Sequence, residues 1–321
     1  MSETNRLRIS GIVPIIPTPF TMEEKIDWPS VRRLVDFACA AGACAMCLLA
    51  YDSEFSQISE PERLRLVSEA VQHSAGRLPV FAQVNLVSLP QAVETAREVQ
   101  KAGASAIATA VPRVFPFGEL DLMRYFDRLL SSIDIPLLIQ DVNPSGPTVS
   151  PRFVAELHRA HPHFRWFKLE EPMLSSKVTA ILEATSGEVG VVEGWGGMYM
   201  LDLIPAGICG VMPGLTISDV LARVFELAAR GDSLGAYRIH EAALPQIVMS
   251  LQHMELFHHA EKRLLAARGI LRGAVVRQLT LQLDQHTEDR ILFLNERIPA
   301  LLDRIGLPLN PVVSPVAEQP R

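Results

Sequence analysis

The sequence predicts a (β/α)8 barrel of the TIM type over residues 1–230, a helical extension over 231–309 and a disordered tail over 310–321. Short apolar runs alternate with amphipathic stretches eight times before Arg230. That order demands parallel strands joined by helical crossovers. The units are near-equal and fill about 225 residues, the size of a closed barrel. A doubly wound open sheet would satisfy the same alternation. No glycine-rich dinucleotide fingerprint follows the first apolar run, which weakens that alternative.

Each element has its local reason. Gly11 to Pro17 reads as a buried strand, and Asp27 caps a helix with Trp28 and Pro29 in its first turn. That helix runs to about Ala41, where Gly42 stops it. Cys44 to Ala50 is the second strand. Ser59-Glu60-Pro61-Glu62 is a capping box for a helix through about His73. Leu78 to Asn85 and Ala104 to Ala110 are strands, followed by helices over Leu89 to Ala102 and Glu119 to Ser132. Pro136 to Val142 is the fifth strand, and Ser150 caps the helix after it, to about Arg159. Phe164 to Lys168, Val189 to Glu193 and Gly207 to Met212 complete the strands. Their helices span Ser175 to Ala184, Met198 to Ala206 and Ser218 to Arg230. From Ser233 onward only helices are expected, over Leu234 to Gln252, Glu255 to Ala267 and Thr287 to Ile305. The extension is expected to serve packing or subunit contact rather than chemistry.

The 321 residues are 48% hydrophobic with a net charge of −6, which suits an enzyme-sized protein with a large core. Mild acidity and the lack of a basic stripe argue against nucleic acid as a partner. No apolar run reaches membrane-spanning length. The polar stretch Met1 to Arg8 lacks a signal-peptide core, so a cytoplasmic location is expected. Cys39, Cys44 and Cys47 have a spacing that can suggest an iron–sulfur loop. They sit among small residues, where cysteine behaves as a small hydrophobe. His158, His161 and His163 fall at a helix end and the turn after it, as solvated histidines do.

Lys168 is one of only five lysines and closes an apolar strand. Period-two alternation puts it on one face with Trp166 and Phe164. Burial there lowers a lysine pKa, and a neutral amine can attack a ketone to form an imine. The plain alternative is a lysine that reaches water or Glu170. Barrel chemistry gathers at strand C-termini. Tyr51, Asp52, Ser53 and Glu54 follow strand two, Gln140, Asp141 and Asn143 strand five, and Glu170 and Glu171 strand six. Gly194, Gly196 and Gly197 follow strand seven, and Met212-Pro213-Gly214 closes strand eight.

Several of these segments resemble the dihydrodipicolinate synthase / N-acetylneuraminate lyase family of class I aldolases and lyases. Gly11-Ile12-Val13-Pro14 through Phe20 is similar to its first strand, and Glu54 with Ile58 to Arg63 to its acidic loop. Val111-Pro112, Phe167-Lys168-Leu169-Glu170, Gly207 with Gly210, and Glu261 to Ile270 follow in family order. The resemblance covers roughly residues 9 to 300. It implies a dimeric or tetrameric barrel whose Lys168 condenses with the ketone of a 2-oxo acid. The imine is an electron sink, so no metal or organic cofactor is implied.

There are departures. The family's glycine-threonine-threonine-glycine-glutamate loop reads Ala50-Tyr51-Asp52-Ser53-Glu54. The strand-five tyrosine is Gln140, which cannot shuttle protons near neutral pH. The arginine beyond it has no counterpart in Pro144-Ser145-Gly146, and the tyrosine that enters a neighbouring subunit's site aligns with Val114. The expectation is a Schiff-base aldolase or dehydratase other than dihydrodipicolinate synthase itself. Its catalytic candidates are Lys168, Tyr51, Asp52 and Gln140; its substrate-binding candidates are Ser53, Glu170, Gly194 and Met212. The alternatives are a retired barrel that binds a metabolite or serves as a scaffold, and a metal-dependent aldolase using Asp52, Glu54 and Glu193.

Overall fold

The computed structural model describes residues 7–143 and 147–312. Eight parallel strands run in the order β1-β8-β7-β6-β5-β4-β3-β2. They are β1 (Gly11–Ile12), β2 (Met46–Leu48), β3 (Val80–Gln83), β4 (Ala106–Ala110), β5 (Leu137–Val142), β6 (Phe164–Glu170), β7 (Gly190–Glu193) and β8 (Gly210–Val211). Beyond β1, the Val13 and Ile15 amides donate to Val211 and Pro213 on one side. On the other, Ile16 donates to Cys47, and Cys47 donates to Pro14. These bonds close the barrel between β1 and β2. Pro14 and Pro17 lack N–H groups, which is why regular pairing there is shorter than the apolar run.

The crossovers are α1 (Trp28–Ala40), α2 (Glu60–Ser74), α3 (Leu89–Lys101), α4 (Glu119–Leu130), α5 (Pro151–Ala160), α6 (Leu174–Ala184), α7 (Met200–Leu203) and α8 (Ser218–Ala229). The expected caps form at Asp27, at Ser150 and at the Ser59–Glu62 box. The helices pack a large outer core against the strands. Inside the barrel a second core holds Val13, Ile15, Cys47, Phe81, Ala108, Leu138, Trp166, Val192 and Met212. The inward set alternates along each strand as the pleat requires.

One face assignment differs from expectation. Phe164 packs in the outer core, whereas Trp166 points inward. Leu137 pairs with Phe164 but Leu138 pairs with Trp166, so β6 carries an extra residue at Arg165. This bulge breaks the two-residue period at the start of the strand. Beyond it Trp166, Lys168 and Glu170 keep their common inward face.

Three further helices follow: α9 (Ser233–Ser250), α10 (Met254–Ala267) and α11 (Gln285–Arg304). Helix α10 is fastened to the barrel rim by buried polar pairs. Lys262 pairs with Glu54, Glu261 accepts from the Thr216 amide and hydroxyl, and Arg268 just beyond the helix binds Asp219 at 2.6 Å. His258 Nε2 lies 3.0 Å from the Tyr51 carbonyl. Among the described residues no helix is long and apolar enough to cross a membrane. The disordered tail expected over 310–321 falls only in part on described residues. Asn310 donates to the Gly269 carbonyl and Val312 packs on the core, while 313–321 lie outside the described residues.

Candidate active site

Lys168 sits near the C-terminal end of β6, facing into the barrel mouth, and is 4% exposed. Trp166 lies one inward step below it, with its ring 5.3 Å from that of Phe81. This pair closes the barrel floor beneath the amine. Glu170 lies one inward step above, and Lys168 Nζ stands 3.2 Å from Glu170 Oε1. Gln140 pairs with Lys168 in register across β5 and β6, and its side-chain nitrogen donates to Glu170 Oε1 at 2.6 Å. A cavity of about 360 Å³ opens above these groups.

Two opposing effects act on the amine. Burial pushes the Lys168 pKa down, but the carboxyl groups of Glu170 and Asp52 push it up further, so it ends above the ordinary lysine value. The expectation of a neutral resting amine is therefore corrected. Strand periodicity registered the apolar Trp166 but could not see a carboxyl group arriving from the loop after β2. Burial raises Glu170 and Asp52 despite the opposing pull of Lys168. All three directions mean that the cluster holds protons tightly. An ammonium has to pass a proton to a neighbour before its nitrogen can serve as a nucleophile.

The cavity is lined by Tyr51, Asp52, Gln140, Lys168, Glu170 and Gly194 among the residues expected from sequence. Tyr51 is held edge-on to Phe55 with ring centres 5.2 Å apart, and burial raises its phenol pKa. Gly194 leaves room for Glu170, because a Cβ there would fall 2.4 Å from the Glu170 carboxyl oxygen.

Ser53 and Met212 do not line the cavity. The Ser53 hydroxyl donates to the Ile16 carbonyl at 2.7 Å and accepts from the Ala50 amide at 3.2 Å, locking the loop after β2. Met212 fills the inner core. Their expected contact with substrate is replaced by these structural roles. The acids of the metal alternative do not converge either. Glu54 is taken by Lys262, and Glu193 accepts the Gly197 amide at 2.8 Å. Among the described residues no group of three or more histidine, cysteine, aspartate or glutamate side chains could hold a metal. Pro144-Ser145-Gly146, where the family's arginine has no counterpart, lies outside the described residues.

Several lining residues were missed from sequence. Ser250, Leu251, His253, Met254 and Phe257 line the cavity from the junction of α9 and α10. The extension was expected to serve packing or subunit contact rather than chemistry, and it also contributes a wall of the cavity. No local signal marks these positions, because tertiary folding alone brings them to the barrel mouth. Gln83 was missed although a signal existed. It is a polar residue two positions after Phe81, at an inward position of a strand end, and it donates to Gln140 Oε1 at 2.7 Å.

Comparison with known proteins agrees with this architecture. The model of the dihydrodipicolinate synthetase family matches residues 8–292. The chain is 27% identical over 308 residues to L-2-keto-3-deoxyarabonate dehydratase of Azospirillum brasilense, covering 95% of this chain and 99% of that protein. It is 28% identical over 149 residues to the putative 2-dehydro-3-deoxy-D-gluconate aldolase YagE of Escherichia coli (strain K12), covering 46% of this chain and 49% of that one. Among solved structures, the 4-hydroxy-tetrahydrodipicolinate synthase of Methylacidiphilum fumariolicum SolV superposes with a TM-score of 0.85 at 19% identity, covering 93% of this chain and 99% of its own. With the family match running from the first strand into the last helix, this chain belongs to the dihydrodipicolinate synthetase family, as a lysine-dependent lyase that works through a Schiff base.

Proposed function

We propose that the protein dehydrates a 2-oxo-3-deoxy sugar acid through an imine on Lys168. The observation that carries this reading is the Lys168–Glu170 pair with Gln140 beside it. A carboxyl group, and no strand-five phenol, adjoins the amine. The near full-length likeness to a dehydratase supports it, whereas 4-hydroxy-tetrahydrodipicolinate synthase of Azoarcus sp. (strain BH72) matches only 44% of the chain.

The chemistry follows from the groups present. Glu170 takes a proton from the ammonium, and the freed amine attacks C2 of the substrate. Loss of water from the adduct leaves an iminium, which acidifies the C3 hydrogens. A carboxylate removes one C3 proton. The enamine then expels the C4 hydroxyl, which leaves as water after receiving a proton from a carboxyl group. Burial raises both Asp52 and Glu170 above the ordinary carboxylate range, which suits them to hold and pass on protons. Hydrolysis releases product and restores Lys168. Aldol cleavage would instead need a base on the C4 hydroxyl, a part that Gln140 cannot play and that would fall to Asp52 or Glu170.

Tyr51 and His253, which line the same cavity, are suited to the distal hydroxyls of such a substrate. A cytoplasmic homodimer or homotetramer accompanies this reading. Val114, Phe115 and Phe117 support assembly, because these apolar side chains stand exposed together on the loop after β4.

Borohydride trapping with a 2-oxo-3-deoxypentonate, followed by peptide mass mapping and product NMR, tests the proposal. The expected results are a reduced adduct on Lys168 and a dehydrated product with all its carbons. An adduct confined to another lysine, or pyruvate as the sole product, would overturn it.

A further inference from the structure

Five polar groups form a continuous chain across the barrel mouth, and its direction is set by backbone. The Ala110 N–H donates to Asn85 Oδ1 at 3.0 Å. A backbone amide can only donate, so the Asn85 oxygen must face it. That same oxygen accepts from Gln83 Nε2 at 2.9 Å. Gln83 Nε2 donates again, to Gln140 Oε1 at 2.7 Å. With the Gln140 oxygen engaged, its nitrogen is left for Glu170 Oε1 at 2.6 Å. Gln83 lies on β3 and Gln140 on β5, two strands apart. They meet because β4 between them offers only Ala108 and Ala110 at the corresponding positions.

We infer that Gln83 and Asn85 are positioning residues that lock Gln140 as a hydrogen-bond donor to Glu170, and thereby keep Glu170 the acceptor for the Lys168 proton. An unanchored Gln140 could rotate its amide and present oxygen to Glu170. Two oxygens would then face each other, which favours a protonated Glu170 and removes the proton acceptor. Neither Gln83 nor Asn85 is among the residues lining the cavity, so they act through Gln140 rather than on substrate. The other titratable groups that bear on Glu170 are Lys168 on its own strand, Asp52 and Tyr51 after β2, and Glu193 on β7. None of them contacts the Gln140 oxygen, so the direction of the amide depends on Gln83.

This inference rests on the imine reading of the site, and its test separates the two. The full chain, labelled with 13C at the glutamate carboxyl, is titrated by NMR, with Glu170 assigned from the signal lost in Glu170→Gln. In Gln83→Met the Glu170 carboxyl titrates about one pH unit higher, the size expected when one charge-assisted hydrogen bond is lost. In Asn85→Leu the shift has the same sign and is smaller, because Gln83 remains but is no longer oriented. Borohydride trapping of pyruvate on Lys168 loses its acidic range by the same shift. An unchanged or lowered Glu170 titration in folded Gln83→Met protein overturns the inference. If that variant does not fold, the Asn85→Leu titration decides. A wild type that traps no pyruvate defeats the imine reading, while the NMR titration still decides whether the amide chain governs Glu170.

Discussion

Gly194 on the loop after β7 and Glu170 on β6 are in such close contact that a single methyl group at position 194 would overlap the carboxylate, 2.4 Å from both Cγ and Oε1. The glycine has no strained backbone angle to explain it. Its absent side chain is what lets Glu170 fold back toward Lys168 and Gln140.

Gly194→Ala therefore pushes Glu170 away from the amine while leaving the barrel intact. The expected result is a loss in kcat on the order of 10²-fold, as for other displacements of about an ångström at a reacting centre. Far-UV circular dichroism and steady-state kinetics check it. Full activity would show that Glu170 does not need its present position.

Glu193 supplies a stability prediction with a defined sign. Burial raises its pKa to about 7, against 4.5 for the free side chain. The folded state thus binds this proton more tightly than the unfolded chain. Its favourable contribution is whole below pH 4.5 and is lost as pH rises through about 7, at a cost of about 3 kcal/mol. Glu193→Gln keeps the acceptor for the Gly197 amide and removes the ionisation. Its Tm is expected to exceed that of the wild type at pH 8 and to converge with it near pH 5. Calorimetry at the two pH values measures this, and a gap that grows toward acid would contradict it.

Arg268 and Asp219 test the fastening of the extension. Arg268 is 1% exposed, binds both carboxylate oxygens of Asp219 and the Thr216 carbonyl, and stacks 4.7 Å from the Phe37 ring. Arg268→Met leaves Asp219 buried without its partner, a loss of about 3–5 kcal/mol. Urea denaturation of the variant reads this directly. Arg268→Met with Asp219→Leu should recover much of the loss, since the isolated charge is then gone.

Much of the fold and the place of Lys168 in the barrel mouth were legible because they are written in local pattern. Eight apolar runs separated by capped helices can hardly form anything but parallel strands with crossovers. Lys168 stood out as the charged end of an apolar strand. Other features were settled by contacts distant in sequence. The bulge at Arg165 sent Phe164 to the outer core, and no residue type announces a bulge. Ser53 looked like a substrate hydroxyl but bonds Ile16 and Ala50 in its own loop. Met212 sits at the end of the last strand as an active-site residue would, yet lies below the cavity. The proton-rich state of the amine needed acids from two different segments, which one strand's periodicity cannot reveal.

The wall that α9 and α10 add to the cavity has a consequence for biosynthesis. A ribosome that has finished β8 has produced every strand and the lysine itself, but Ser250, His253 and Phe257 are still unmade or untethered. The reactive chamber comes into being only when the late segment docks and Arg268 finds Asp219. A chain cut short after the barrel would therefore present the Lys168 amine in an open bowl rather than in a walled chamber.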